Sequence, residues 1–334
     1  MTPKMTPVGP HLTVFVREYL PSQREMSVQT SDTYAYAFQL LVCFAAERLK
    51  TTPSALVIEQ LDPALVLAFL EHLEEKRGNC ARTRNSRLAA IKTFFRFLEY
   101  RLPACLEQAR RIRAIPVKKT DEKIIGYLNR EEIQALLDAP DPSSHHGQRD
   151  RAMLHLAYAG GLRVSELVGL SLANLVLHPQ ATIHVIGKGR RERILPLWKE
   201  TATVLRDWLK VRGEPKTTAL FPNARGDSMT RSGFEYIIEK HVRTASAKQP
   251  ALAKKQVSPH SMRHSCAMHI FHATGDIRKV ALWLGHASLQ STEVYLRADP
   301  TEKLEAMAAL SSPTLRRGRF RPPDKLLAML RPKR

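Results

Sequence analysis

The chain has 334 residues, with 52 Lys or Arg against 32 Asp or Glu, a formal net charge of +20 at pH 7. Hydrophobic residues make up 43% of it, enough to build real cores, which excludes a globally disordered chain and suggests two domains by length. A balance this positive points to a polyanionic partner, nucleic acid first. No apolar run approaches the roughly 18 residues that a membrane span needs, and no long helix pairs a cationic face with a wide apolar one. The N-terminal MTPKMTPVGP carries no apolar core of signal-peptide type. Cys43, Cys80, Cys105 and Cys266 are scattered and form no CxxC pair, which fits a reducing cytoplasm and gives no zinc site.

Residues 1–103 read as a helical bundle that binds DNA. Helices are predicted from about His11 to Leu20 and from about Ser31 to Lys50, the latter with Tyr34, Phe38, Leu41, Ala45 and Leu49 on one stripe. A third opens at Asp62-Pro63, an N-cap followed by Pro at the first helical position, and ends near Gly78. The fourth, Arg82 to Arg101, would bury Leu88, Ile91, Phe95 and Leu98, and Pro103 ends it. Between Lys76 and Lys123 there are fourteen Lys or Arg and four Asp or Glu, a net of +10. Charge runs are usually solvated faces, but one-sided sign favours a phosphate backbone. Arg82, Arg84, Arg87 and Lys92, near the start of the fourth helix, are the candidate contacts.

Residues 104–126 read as a basic linker, interrupted by Pro116 and without sustained period. From 127 to 310 a second, mostly helical domain with a small antiparallel sheet is predicted. Asn129 and Glu132 have capping-box spacing ahead of Ile133, Leu136 and Leu137. A helix from Arg149 to Ala159 breaks at Gly160-Gly161, after which Arg163 and Glu166 stand three apart. Such a pair is ordinarily a surface ion pair, but a Gly-Gly break beside it lets backbone approach a ligand closely. Thr182–Ile186 and Arg193–Leu197 alternate as a hairpin around GKGRRE, with Lys188 at the tip and Arg190 beside it. Helices follow around Val204–Lys210 and Gly233–Thr244.

Residues 258–295 concentrate the polar chemistry. Ser258-Pro259 starts a helix on which His260 and Arg263 share a face, while Ala267, Ile270 and Phe271 form its apolar back. Gly275 breaks that helix, and Ile277, Val280, Ala281 and Leu284 form another that stops at Gly285. His286 follows the stop, and Tyr295 lies nine residues further on a third short segment. Two imidazoles, a guanidinium and a phenol could grip and attack a phosphate; a histidine-rich core is the bland alternative.

In chain order GLRVSEL, the GKG hairpin, HSMRHS, LGH and the Tyr nine residues later resemble the tyrosine recombinases, the phage integrases and Xer-type resolvases. Met262 stands where that family more often has Leu, a volume-conserving swap. The resemblance implies an N-terminal core-binding bundle and a catalytic domain from about 122 to 310. It implies a site-specific recombinase, working by DNA strand breakage and rejoining through a 3′-phosphotyrosyl intermediate, in integration, transposition or resolution. Carried onto matching positions, Tyr295 is the nucleophile, and Arg163 and Arg263 hold the non-bridging oxygens. Lys188 protonates the leaving 5′-oxygen, His260 exchanges a proton with Tyr295, and His286 bonds the phosphate. Glu166 orients Arg163 or His260 from behind. Neither cofactor nor metal is implied, since an aryl phosphodiester conserves the bond energy. HSMRH lacks the Glu of a zinc-protease HExxH. His264, His269 and His272 read as structural or surface residues, and Cys266 as core.

Two alternatives stand beside this reading: a type IB topoisomerase-like enzyme that nicks and reseals, and a catalytically inactive DNA-binding relative. Recombination needs four active sites on two duplexes, hence a homotetramer on double-stranded DNA, with a second recombinase or a DNA-bending accessory protein as further candidate partners. The expected location is a bacterial cytoplasm, on the nucleoid. Pro300–Leu310 is the candidate for the family's C-terminal docking helix. Beyond it, residues 311–334 form an extra basic tail with a short apolar run, DKLLAML.

Overall fold

The computed structural model describes residues 5–120, 126–187, 191–214, 216–286 and 288–298, with residues 297 and 298 described by backbone alone. Lys188, Arg190, the Pro300–Leu310 helix and the basic tail lie outside the described residues. The chain divides into two compact units, residues 1–122 and 123–334.

The first unit is helical. Helix α1 (Val8–Val14) passes into a π-helical stretch, Phe15–Gln23, and is followed by α2 (Val28–Arg48), α3 (Pro63–Glu75), α4 (Ala81–Arg101) and α5 (Leu106–Ala114). The Asp62 carboxylate caps α3 by accepting from the Leu65 N–H at 2.7 Å, with Pro63 at the first helical position. On α2, Phe38, Leu41 and Ala45 are buried as their spacing predicts, whereas Leu49 at the helix end is exposed. Leu88, Ile91, Phe95 and Leu98 of α4 are all buried. The core centres on Phe15, Phe38, Phe94 and Phe97, with Phe15 placed 5.7, 5.2 and 5.3 Å from the other three ring centroids.

Two expectations are corrected here. The stretch from 104 is not irregular: α5 lies in it and buries Ala109 and Ile112 in the first core. Arg84 is not a free surface cation. It is 5% exposed, and its Nη1 donates to the Pro116 carbonyl at 3.0 Å and to Asn85 Oδ1 at 3.2 Å. Asn85 in turn bonds both backbone groups of Lys118, at 2.7 and 3.0 Å. The start of α4 thus pins residues 116–118.

The second unit is mostly helical with one three-stranded antiparallel sheet, the predicted class. It comprises α6 (Arg130–Leu137), α7 (His145–Ala159), α8 (Val164–Val168), the sheet, α9 (Lys199–Val211), α10 (Arg231–Ser246), α11 (Pro259–Thr274), α12 (Ile277–Leu284) and α13 (Glu293–Ala298). The strands are β1 (Leu175–Val176), β2 (Thr182–Ile186) and β3 (Glu192–Pro196), in that order. Ile183 pairs with Leu195 and Val185 with Arg193, so the face burying Ile183, Val185 and Leu195 also carries Arg193 inward. The capping box at α6 is present: Asn129 accepts from the Glu132 N–H, and Glu132 accepts from the Asn129 N–H, both at 2.8 Å. A main core gathers Met153, Leu205, Trp208, Phe221, Phe234 and Met262. A smaller one joins α11, α12 and α13 through Met268, Phe271, Val280, Leu284 and the Tyr295 ring. No helix among the described residues is long and apolar enough to cross a membrane.

Removing the Arg84 side chain takes the donor from the partly buried Pro116 carbonyl and empties a buried position. Arg84→Ala should cost the first unit about 1–3 kcal/mol, whereas Arg82→Ala, at an exposed position of the same helix, should stay within about 0.5 kcal/mol. Urea unfolding followed by far-UV circular dichroism separates the two; equal effects would refute the structural assignment of Arg84.

Candidate active site

Two glycine turns build the site. Helix α7 ends at Gly160, and Gly161 takes the left-handed conformation at φ +53°. A Cβ on Gly161 would stand 2.6 Å from Leu284 Cδ2, so the position requires glycine twice over. The turn places Arg163 just before α8, where its backbone N–H donates to Glu166 Oε2 at 3.0 Å. Helix α12 ends the same way at Gly285, φ +63°, with the Arg193 side chain packed against it where a Cβ would meet Cδ and Nη1 at 3.0 Å. His286 follows directly.

The carboxylate of Glu166 is the junction. It is 7% exposed and accepts from Arg163 Nη1 at 2.8 Å and from Arg193 Nη1 and Nη2 at 3.2 and 2.7 Å, a two-pronged pair. Arg263 Nη1 stands 4.0 Å away. The carboxylate therefore bonds Arg163 and Arg193, and not His260. Burial alone would raise its pKa, but the bonds from Arg193 and Arg163 outweigh that and hold it below the ordinary value. Arg263 is 4% exposed and donates to two backbone carbonyls, Gly161 and Leu284, one from each glycine turn. Burial, then the neighbouring Arg163 charge, lowers its pKa to about 10, which leaves it charged at neutral pH.

Tyr295 on α13 is 2% exposed. Burial raises its phenol to about 12, against the opposing pull of Arg263 and, more weakly, Arg163. His286 lies nearly parallel to the phenol ring, centroids 6.5 Å apart, and its Nδ1 shares a 2.8 Å hydrogen bond with the wholly buried Thr292 hydroxyl. Burial, then Arg263, Arg163 and Arg193, lowers its pKa to about 4. One expectation changes. The imidazole that meets Tyr295 Oη is His264, whose Nδ1 lies 3.0 Å away, while His260, one turn earlier, is exposed with its ring centroid 6.3 Å from that of His264. His264 is thus half-buried and bonded to Tyr295. His269 does have a structural bond, Nδ1 to Tyr158 Oη at 2.7 Å, and Cys266 is buried as expected.

The structure brings together Arg163, Arg263, His286, Tyr295 and Glu166 of the predicted set, and adds Arg193, His264 and Thr292. Arg193 was legible as an arginine on the inward face of a strand, where it must find an anion. His264 was legible as the residue four after His260 and one after Arg263, on the same helical face. Of the candidate DNA contacts, Arg82 is exposed, Arg84 is committed within the first unit, and Arg87 lies 4.9 Å over the Tyr36 ring and donates to Thr33 O at 3.2 Å. Lys92 is half-buried, its pKa lowered by burial and then by Arg84 and Arg113. No group of three or more His, Cys, Asp or Glu placed to hold a metal ion occurs among the described residues.

Residues 126–302 match the phage integrase family, and residues 16–101 match the N-terminal SAM-like domain of phage integrases. The chain belongs to the phage integrase family. Among the similar integrases is a putative integrase/recombinase y4rC of Sinorhizobium fredii, 41% identical over 327 residues that cover 98% of each chain. Tyrosine recombinase XerC of Pelobacter propionicus is 32% identical and spans 87% of this chain and 91% of its own. In fold, this integrase is similar to XerH site-specific recombinase bound to its difH substrate, TM-score 0.64 at 23% identity over 88% and 83% of the two chains. The Tn1549 transposon integrase in complex with circular intermediate DNA has TM-score 0.66 at 16% identity, covering 92% of this chain and all of that one. This integrase is accordingly an enzyme of DNA strand breakage and rejoining, and the topoisomerase and inactive-binder alternatives are not favoured.

Breaking a buried ion pair from one side costs about 3–5 kcal/mol. Glu166→Ala strands two guanidiniums and should destabilise the second unit by that much; Trp198, Trp208 and Trp283 all lie in this unit, so tryptophan fluorescence in urea reports it alone. An unchanged midpoint would remove Glu166 from the centre of the site.

Acid should also weaken this unit. His155, His264 and His286 are each lowered to about 4, chiefly by burial. Their folded pKa values lie below the unfolded value near 6.5, so the unfolded chain takes up protons first as pH falls. The stability they contribute is complete above about pH 6.5 and is lost towards pH 4. His155, the most deeply buried, contributes up to about 1.4 kcal/mol per pH unit; His264 and His286 contribute less because water screens them. Urea midpoints at pH 7 and pH 5 test this, with a clear drop expected; equal midpoints would refute it.

Proposed function

We propose that this integrase is a site-specific recombinase in which Tyr295 attacks a DNA phosphate to give a 3′-phosphotyrosyl link and a free 5′-hydroxyl. The observation that carries this reading is the grouping of two guanidiniums, Arg163 and Arg263, and one imidazole, His286, around a buried phenol, with Glu166 fixing the first guanidinium from behind. A planar, permanently charged fork suits the two non-bridging oxygens of a phosphodiester and the charge that grows on them in the transition state. His286 is neutral at pH 7. With Thr292 donating to Nδ1, Nε2 keeps its proton and serves as a further phosphate donor. Lys188 is assigned the proton for the leaving 5′-oxygen. The proton of Tyr295 passes to the histidine face of α11.

The phenol is a weak nucleophile but a competent leaving group, so the same bond can be reopened by an incoming 5′-hydroxyl and the strands rejoined without ATP. Exchange between two duplexes requires four such sites, which supports a homotetramer on DNA. A second recombinase or a DNA-bending protein would act beside it, on the nucleoid of a bacterial cytoplasm. Residues 1–103 form the core-binding domain and 127–310 the catalytic domain in this reading. Arg82, Arg87, Lys92 and Arg190 are the proposed backbone contacts, and residues 311–334 a basic tail. The family alternatives differ in outcome and not in cutting chemistry; joining strands from two separate duplexes distinguishes recombination from resealing.

The test is covalent adduct formation on DNA flanking the gene, trapped with SDS and mapped to the nucleotide. Tyr295→Phe should keep site binding and form no adduct; adduct at the wild-type level would move the nucleophile elsewhere, with exposed Tyr236 the next candidate. Lys188→Ala should slow cleavage about 10²–10⁴-fold. A 5′-bridging sulfur, which leaves without a proton, should restore the rate; without that rescue Lys188 is a phosphate binder and not the acid.

A further inference from the structure

We propose that Arg193 is a positioning residue for strand cleavage: its guanidinium, clamped by Glu166, seats the Gly285 turn and so fixes where His286 meets the phosphate. The inference rests on His286 being a phosphate ligand. Arg193 is carried inward by β3, which pairs residue for residue with β2. Its two terminal nitrogens are committed to the Glu166 carboxylate, at 3.2 and 2.7 Å, and its side chain is 10% exposed. A guanidinium held in this two-pronged way cannot turn, and it cannot reach a DNA phosphate while it keeps both bonds. Its other edge is a fixed surface, and backbone rests on it. A Cβ at Gly285 would meet Arg193 Cδ and Nη1 at 3.0 Å and Cζ at 3.4 Å, so the three nearest atoms to that position all belong to Arg193.

Gly187 makes a similar contact with the pair. A Cβ there would stand 3.2 Å from Glu166 Oε1 and 3.5 Å from Arg193 Nη1. Its φ is not positive, so space and not backbone conformation calls for glycine at 187. The Gly285 turn is closed by its own bonds, the Gly285 N–H to Leu282 O at 3.2 Å and the His286 N–H to Ala281 O at 3.0 Å. Those bonds fix its shape. Its spacing from Arg163 is set across the Arg193–Glu166 pair, which touches the turn on one side and bonds the Arg163 guanidinium on the other. The imidazole has a second support in the Thr292 hydroxyl, 2.8 Å from Nδ1. Thr292 sets the rotation of the ring, and Arg193 sets where the backbone beneath it lies. The Arg193 charge also adds to burial, Arg263 and Arg163 in keeping that ring neutral. Lysine at this position would keep a charge beside Glu166 but offer a point where arginine offers a planar fork, and the flat edge under Gly285 would be gone.

The test uses the full chain and a duplex carrying the site mapped by the adduct assay. The duplex is nicked just 3′ of the scissile phosphate, so that the fragment bearing the freed 5′-hydroxyl dissociates. Site binding and single-turnover adduct formation are measured for wild type, Arg193→Lys, Arg193→Met, His286→Ala, and Arg193→Lys combined with His286→Ala. Because the guanidinium is turned away from DNA, Arg193→Lys should bind the site within about threefold of wild type while forming adduct about 10–100-fold more slowly. Arg193→Met, which fills the space without charge or fork, should be at least as slow. Residues that act through one another are not additive, so in the His286→Ala background Arg193→Lys should cost less than about threefold. A wild-type rate in Arg193→Lys would overturn the proposal, since charge alone would then suffice. Site binding that falls in step with the rate in both Arg193 variants would also overturn it and leave Arg193 a purely structural residue. His286→Ala at the wild-type rate would overturn the underlying reading that His286 meets the phosphate. A slow His286→Ala to which Arg193→Lys adds its full cost would overturn the route through His286 alone.

Discussion

One buried carboxylate holds the second unit's charges in place. Glu166 accepts from Arg163 and from both terminal nitrogens of Arg193, with Arg263 just beyond bonding distance. Three guanidiniums this close repel one another, and two of them, Arg193 and Arg263, have little access to water. Without an anion among them they would splay or neutralise. The carboxylate allows a cationic pocket to exist before DNA arrives, so the cost of gathering the charge is met in folding and not in binding. It also ties α8 to β3, so the turn after α7 and the sheet share one anchor.

Around this cationic centre the remaining groups are neutral. The phenol is raised and two imidazoles are lowered, each chiefly by burial. A neutral phenol beside fixed positive charge is stable at rest, and the guanidiniums would stabilise the phenolate if it lost its proton. The neutral groups of the site and its charged groups are thus separate sets of residues.

Much of this was legible in the sequence. The capping signals at Asp62-Pro63, Asn129 with Glu132, and Ser258-Pro259 each mark a real helix start, because a local hydrogen bond decides them. The hairpin and the glycine stops at 161, 275 and 285 follow from strand alternation and from left-handed backbone. Helix α5 was hidden because only Ala109 and Ile112 of nine residues are buried, and arginines obscure so short a stripe. The burial of Arg84 was hidden because its partner, the Pro116 carbonyl, is 32 residues away and carries no sequence signature. His264 was passed over for a related reason: the face it shares with His260 is evident, but which of two imidazoles one turn apart meets Tyr295 depends on where α13 returns, 31 residues later.

The two carbonyl partners of Arg263 decide when the site can form. One comes from Gly161, 102 residues earlier, and the other from Leu284, 21 residues later. Glu166 reaches its second arginine 27 residues on, and Tyr295 closes the set. No nascent or clipped chain that stops before α12 can therefore hold Arg263 from both turns, and none that stops before α13 has Tyr295. With its parts scattered across distant turns, the site takes shape only once the whole unit has folded.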